Sequence, residues 1–197
     1  MNEIWGIILA AGESKRMGFP KMLLKFNGIT MIETVIQNVI NADIDNTIVV
    51  LGANSQTLTE LLTKSNVKYC FNNNYKEGML SSVKCGFKNL PSDLKAVLVF
   101  LGDQPFITSN VINKVIDAHK FSGKGIVIPI YQKKRGHPIL IDKKYTEAIH
   151  KLDVETGLRS LTYLFADDVL EVDTDDSGIL RDFDTYEDYI EEINQNK

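Results

Sequence analysis

Three apolar runs, IWGIILAAG (4–12), NTIVVLG (46–52) and AVLVFLGD (96–103), end at or beside a glycine, and a stretch of helical periodicity follows each. A short, nearly continuous apolar run is the mark of a strand covered on both faces, which is how strands lie in parallel sheets. After the first run, Met31/Ile32, Val35/Ile36 and Val39/Ile40 recur every four residues, predicting an amphipathic helix over Thr30–Asn41. A second helix is expected over Ser55–Lys64 and a third strand at VKYCF (67–71); Leu80, Val83 and Phe87 mark another helical stripe. Beyond AVLVFLGD, Thr108 or Ser109 is placed to cap a helix whose buried stripe is Val111/Ile112, Val115/Ile116 and His119. This alternation implies an α/β fold of three layers, a doubly wound and mostly parallel sheet with right-handed crossovers. In such sheets ligands bind at the carboxyl ends of the strands.

GIVIPIY (125–131) and HPILI (137–141), joined by QKKRG, break the alternation and read as a hairpin or small β excursion beside the site. Helical stretches at Lys143–His150 and Gly157–Phe165, the strand VLEV (169–172) and the acidic turn and helix of RDFDTYEDYIEEI complete the pattern, with EEINQNK expected to fray.

At 197 residues the chain suits one domain, 1–197, able to bury its own core. Its formal net charge of -4 argues against general affinity for nucleic acid, which needs a basic face. No apolar stretch approaches the ~20 residues that span a bilayer. Cys70 and Cys85 fit no metal-ligand spacing, and the N-terminus has no secretory pattern, so a cytoplasmic protein with reduced thiols is expected.

Positive charge is instead local. LAAGESKRMGFPK (9–21) places Gly12, Lys15, Arg16, Gly18 and Lys21 in the loop that leaves the first strand. The spacing matches neither the Walker loop nor the dinucleotide fingerprint, which removes the main support for a hydride-transfer enzyme. What the loop offers is backbone N–H groups beside a glycine and fixed cations for phosphate oxygens. At ~4 Å and an effective dielectric near 20, each such contact is worth about 4 kcal/mol before desolvation. Lys15 suits a solvated loop as well as a ligand. GDQP (102–105) ends the most apolar strand, where Asp103 suits either a hard carboxylate ligand for Mg²⁺ or a turn before Pro105. RDFDT (181–185) adds Asp182 and Asp184, read either as a further carboxylate for the metal or as the cap of the last helix.

In order, LAAGESKRMGFPK, EGMLSSVKCG, FLGDQP, RGHP and DFDT resemble the nucleotidyltransferases of the MobA-like family, and most of all its molybdenum cofactor cytidylyltransferase branch. The resemblance runs over essentially the whole chain. It implies a Rossmann-like nucleotidyltransferase fold and a Mg²⁺-dependent enzyme that joins an NMP unit from an NTP to an acceptor phosphate, releasing pyrophosphate. By that similarity Ala10, Ala11 and Gly12 lie against the nucleotide, Arg16 and Lys21 hold phosphates, Gly78, Ser81 and Ser82 line the base and ribose pocket, and Asp103 with Asp184 carries the metal. The pair Ala10-Ala11 resembles the cytidylyl form, which points to CTP as donor; guanylyl relatives tend to have two glycines there. RGHP (135–138) and DVETGLRSL (153–161) resemble segments around a molybdopterin-type acceptor, with His137 and Arg159 as its contacts, although VETG stands where relatives more often carry a glycine-aspartate-x-glycine run. The branch also suggests transient contact with a molybdenum enzyme. The competing readings are a sugar 1-phosphate or polyol phosphate as acceptor, GTP as donor, and a non-catalytic nucleotide-binding accessory protein for cofactor insertion.

Overall fold

The chain's architecture was taken from a computed structural model that describes residues 3–53, 55–65, 67–183 and 185–195. Strand β1 (Ile4–Ala10) is buried along its whole length, which fits its unbroken apolar sequence. It is followed by β2 (Lys25–Phe26), β3 (Ile29–Thr30), α1 (Met31–Ile40), β4 (Asn46–Leu51), α2 (Ser55–Lys64), β5 (Lys68–Phe71), α3 (Met79–Lys88) and β6 (Ala96–Leu101). Then come α4 (Ser109–Ser122), β7 (Ile126–Tyr131), β8 (Lys134–Arg135), β9 (Ile139–Asp142), α5 (Thr146–Lys151), α6 (Arg159–Leu164), β10 (Val169–Asp173) and α7 (Tyr186–Gln195).

The main sheet runs β10-β7-β9-β6-β1-β4-β5, with β8 paired to β7. Pairing is parallel except at β9, which is antiparallel to both β6 and β7, and in the β7–β8 hairpin. The strand order reverses between β1 and β6, so their carboxyl ends open a crevice there. Alternate residues of β1 feed opposite layers. Ile4, Ile8 and Ala10 join the core formed with α1, α2 and α4, whereas Trp5, Ile7 and Leu9 join the core formed with α3, α5 and α6.

Local chemistry sets the helix starts. Thr30 caps α1 in a capping box: its hydroxyl accepts from the Glu33 N–H, and the Glu33 carboxylate accepts from the Thr30 N–H at 2.8 Å. The Thr30 hydroxyl also donates to that carboxylate at 2.6 Å, and this bond first, with the Thr30 N–H second, holds the Glu33 carboxyl below its ordinary range. Of the two cap candidates for α4, Thr108 is the one that accepts, from the Val111 N–H. Within α3, Gly86 lies against β1, where a Cβ would stand 2.8 Å from the Ile7 Cγ2. The helix therefore closes on the sheet and aims its amino end at the crevice.

GIVIPIY and HPILI do pair antiparallel, as β7 and β9; β9 lies in the sheet between β7 and β6, and the small β excursion is β8, which pairs with β7 off the main strand order. The turn comes earlier, at Gln132 and Lys133, both at positive φ, and leads into β8. The chain then passes Gly136 and a cis His137–Pro138 bond. The β2–β3 hairpin is an addition to the sequence-based expectation. Its signal is Asn27-Gly28, whose φ values of 51° and 92° suit the tight mirror-image turn. The tail EEINQNK is helical through Gln195, and its last two residues lie outside the described ones. Among the described residues no helix is long and apolar enough to cross a membrane.

Candidate active site

Beyond Ala10 the basic loop is pinned at several points. The Ser14 carbonyl accepts from the Met17 N–H at 3.0 Å, and the Ser14 hydroxyl accepts from the Lys21 N–H at 3.2 Å. Met17 is buried with Phe26, Met31, Phe183 and Tyr189 in a third apolar cluster. The loop is thus held between the β2–β3 hairpin and the C-terminal segment, with Ser14, Lys15, Arg16 and Lys21 along the crevice.

That crevice is a cavity of about 450 Å³. Ala11, Gly12, Arg16 and Lys21 line it from the first strand's exit, Asp103 from the β6 exit, Gly78 and Ser82 from the start of α3, and Asp182 from the C-terminal segment. The Gly102 N–H donates to the Leu9 carbonyl at 3.0 Å, which fixes Asp103 beside the loop. Lys21 forms an ion pair with Asp103 and also donates from Nζ to the Phe183 carbonyl at 3.2 Å. Both side chains of the pair are about five-sixths covered, at 16% and 15% exposure. This is a desolvated pair, whose partners depend on each other more than surface ions do. Lys15, in contrast, is exposed and pairs with Glu13 at 2.9 Å.

Two residues expected at the nucleotide do not reach the cavity wall. Ala10 is buried inside β1. Ser81 turns its hydroxyl inward, within 2.8 Å of the Gly78 carbonyl and 2.9 Å of the Asn74 carbonyl. Asp184 lies outside the described residues. The wall also contains Ser14, Met17, Tyr75 and Met79, which the sequence reading did not single out. Met79 had a signal, sitting next to Gly78 in EGMLSSVKCG; Tyr75 had none.

A second cavity, of about 850 Å³, shares Met79 with the first. His137 and Arg159 both line it, together with Lys133, Lys134 and Arg135. Arg135 is braced by Glu171 at 2.6 Å and by the Thr162 hydroxyl at 3.1 Å, and the Arg159 guanidinium lies over the Tyr163 ring. Burial pushes the His137 imidazole down to about 4 against the opposing pull of the Asp103 carboxylate. It is therefore neutral at pH 7, a hydrogen-bonding group rather than a charge.

Among the described residues no group of three or more His, Cys, Asp or Glu side chains is arranged to hold a metal. The first cavity has Asp103 and Asp182, both hard oxygen donors. A pair of carboxylates completed by phosphate oxygens and water is the donor set Mg²⁺ favours.

The Escherichia coli (strain K12) molybdenum cofactor cytidylyltransferase is 31% identical over 192 residues, 96% of this chain and 95% of its own. The Mycobacterium tuberculosis protein Rv0371c superposes with a TM-score of 0.86 at 24% identity, covering 96% of both chains. Its manganese complex superposes at 0.81 and 22% identity, covering 96% of this chain and 97% of that one. Residues 6–169 match the MobA-like NTP transferase domain, and the chain belongs to that family of nucleotidyltransferases.

Proposed function

We propose that the protein transfers CMP from CTP to the terminal phosphate of a molybdopterin-type acceptor and releases pyrophosphate. The observation that carries this reading is the convergence of Arg16, Lys21 and Asp103 on one cavity that adjoins a second, cation-lined one. The likeness to the Escherichia coli cytidylyltransferase over nearly all of both chains supports the choice of donor and acceptor.

In this reading an oxygen of the acceptor phosphate attacks the α-phosphorus of the nucleotide. One P–O bond forms to the acceptor, and the bond from the α-phosphorus to the pyrophosphate oxygen breaks. The attacking oxygen is already an anion, so the chain needs no general base, and the work is alignment and charge neutralisation. Arg16 and Lys21 bind the β- and γ-phosphates and stabilise the charge that grows on the departing pyrophosphate. Gly12 lets backbone approach the phosphates, and Gly78 and Ser82 bound the nucleoside. Arg159 meets the acceptor phosphate, and neutral His137 orients it through a hydrogen bond. Asp103, with Asp182 or Asp184, is the group to hold Mg²⁺, a choice to which the manganese complex of Rv0371c adds weight. When bound, the ion neutralises phosphate charge and templates the in-line displacement.

Pyrophosphate release across the four NTPs, with and without a molybdopterin-type acceptor, tests the assignment. The expected result is release that requires both CTP and that acceptor; release with a sugar or polyol phosphate in its place would reassign the acceptor. Asp103→Ala should cut turnover by about 10²–10³-fold, as loss of a main transition-state stabiliser does. Lys21→Ala should raise the NTP requirement as well as slow turnover. Near-normal rates in Asp103→Ala at saturating Mg²⁺ would overturn its role.

A further inference from the structure

Asn72 follows β5 directly and is buried, at 6% exposure. Its side-chain amide is engaged at both ends. Nδ2 donates to the Ser81 hydroxyl oxygen at 2.8 Å and to the Ser82 hydroxyl oxygen at 3.0 Å, and Oδ1 accepts from the Asn74 N–H at 3.0 Å. A backbone N–H can only donate, so the Asn74 contact fixes which end of the amide is oxygen, and both serine oxygens must receive amide protons.

The two serines then differ in where their own protons go. Ser81 has two carbonyl acceptors within reach, those of Asn74 and Gly78. Ser82 Oγ has Asn72 as its partner among the described residues, and Ser82 lines the 450 Å³ cavity. Ser82 is itself nearly covered, at 4% exposure, so its proton is held in one neighbourhood instead of being shared with bulk water. The amide takes one of the oxygen's two lone pairs, and no acceptor for the proton is seen among the described residues, so the O–H is left to point at whatever fills the cavity.

We propose that Asn72 is a positioning residue that makes Ser82 a hydrogen-bond donor toward an acceptor atom of the bound nucleotide, a ring nitrogen, a base carbonyl or a ribose oxygen. This rests on the reading of the first cavity as the NTP site. Asn72 touches no ligand itself. It sets the polarity of a hydroxyl that does, and so selects nucleotides that present an acceptor at that point.

Asn72→Asp separates this role from a structural one. The carboxylate keeps the oxygen that accepts from the Asn74 N–H but has no protons to give, so the Ser81 and Ser82 hydroxyls turn to donate to it. Ser82 then presents lone pairs to the cavity instead of a proton. CTP affinity is measured by calorimetry, and KM and kcat by pyrophosphate release, for wild type, Asn72→Asp, Ser82→Ala and the double variant. The expected result is about tenfold weaker CTP binding in each single variant, the loss of one hydrogen bond. KM should rise while kcat at saturation moves less than about twofold, as for uniform binding. The double variant should bind no more weakly than the worse single one, because both changes remove the same contact.

A purely structural Asn72 would lower the melting temperature and leave the CTP affinity of the folded protein unchanged, which overturns the inference. If Asn72→Asp does not fold, Ser82→Ala decides the matter: wild-type affinity overturns the inference, and a tenfold loss supports it. Wild-type protein that binds no NTP overturns the nucleotide reading itself; wild-type binding with unaltered variants overturns this inference alone.

Discussion

Lys21 is a long cation held in a mostly covered place, and what keeps it there is drawn from both distant ends of the site. Asp103 arrives from the middle of the chain and the Phe183 carbonyl from near its end. Truncating one member of such a pair strands the other without compensation, so Asp103→Ala costs stability as well as catalysis. Its activity belongs well below its melting temperature. His137 has the opposite problem, since burial keeps it neutral, and this makes it a source of acid sensitivity. Its folded-state pKa of about 4 lies below the ~6.5 of an unfolded histidine. Between those values the unfolded chain binds a proton that the folded one refuses, so stability falls as pH drops from about 6.5 toward 4 and is unaffected by this group above that window. His119 is lowered too, with burial outweighing its contact with Asp142, and contributes in the same direction. His137→Gln should therefore flatten the decline in melting temperature between pH 6.5 and 4 while leaving the His119 share. An unchanged slope in that variant would show that the imidazole is not protected as described.

Helix α3 shows how an element carries the site. Its amino end supplies Gly78, Met79 and Ser82, and its depth against the sheet is set by Gly86 on Ile7. Gly86→Ala tests that dependence, because two effects compete. Alanine favours a helix interior over glycine by about 1 kcal/mol, whereas forcing a methyl into a packed core costs about 1–3 kcal/mol. Ile7 is fully buried and a Cβ would meet its Cγ2 at 2.8 Å and its Cδ1 at 2.9 Å, so strain should win. The expected net loss of about 1 kcal/mol lowers the melting temperature by about 2–4 °C in a chain this size, and the displaced helix raises the KM for NTP. A stabilised variant with wild-type KM would show that the helix is not seated by this contact. The same elements mark what the sequence can say. Runs such as IWGIILA and AVLVFL are legible because every position is apolar, and Arg16, Lys21 and Asp103 are legible because they stand at the ends of those runs. Position inside the sheet is not legible: HPILI has the same composition whether it edges a hairpin or, as β9, lies between β6 and β7. Nor is the inward turn of the Ser81 hydroxyl beside a Ser82 that lines the cavity, because both hydroxyls meet Asn72, nine and ten residues back and just beyond β5.

At the scale of the whole molecule, the cavity is closed by joining the two ends of the chain. The basic loop, the β2–β3 hairpin and the first residue of α1 pack through Met17, Phe26 and Met31 against Phe183 and Tyr189. Tyr189 on α7 also donates its hydroxyl to the Lys25 carbonyl at 2.7 Å, across 164 positions of sequence. The apolar cluster supplies adhesion without direction; the hydrogen bond fixes where α7 sits along the hairpin, and hence where Phe183 offers its carbonyl to Lys21. Tyr189→Phe keeps the ring and removes only that bond. A typical intramolecular hydrogen bond contributes about 0.5–1.5 kcal/mol net, which here corresponds to a fall of roughly 2–4 °C in melting temperature per kcal/mol. If the clasp holds the phosphate loop, the KM for NTP rises in parallel although Tyr189 lies outside the cavity wall. A melting temperature that falls while KM stays at the wild-type value would mean that the apolar cluster alone sets the loop and that the two chain ends meet for stability only.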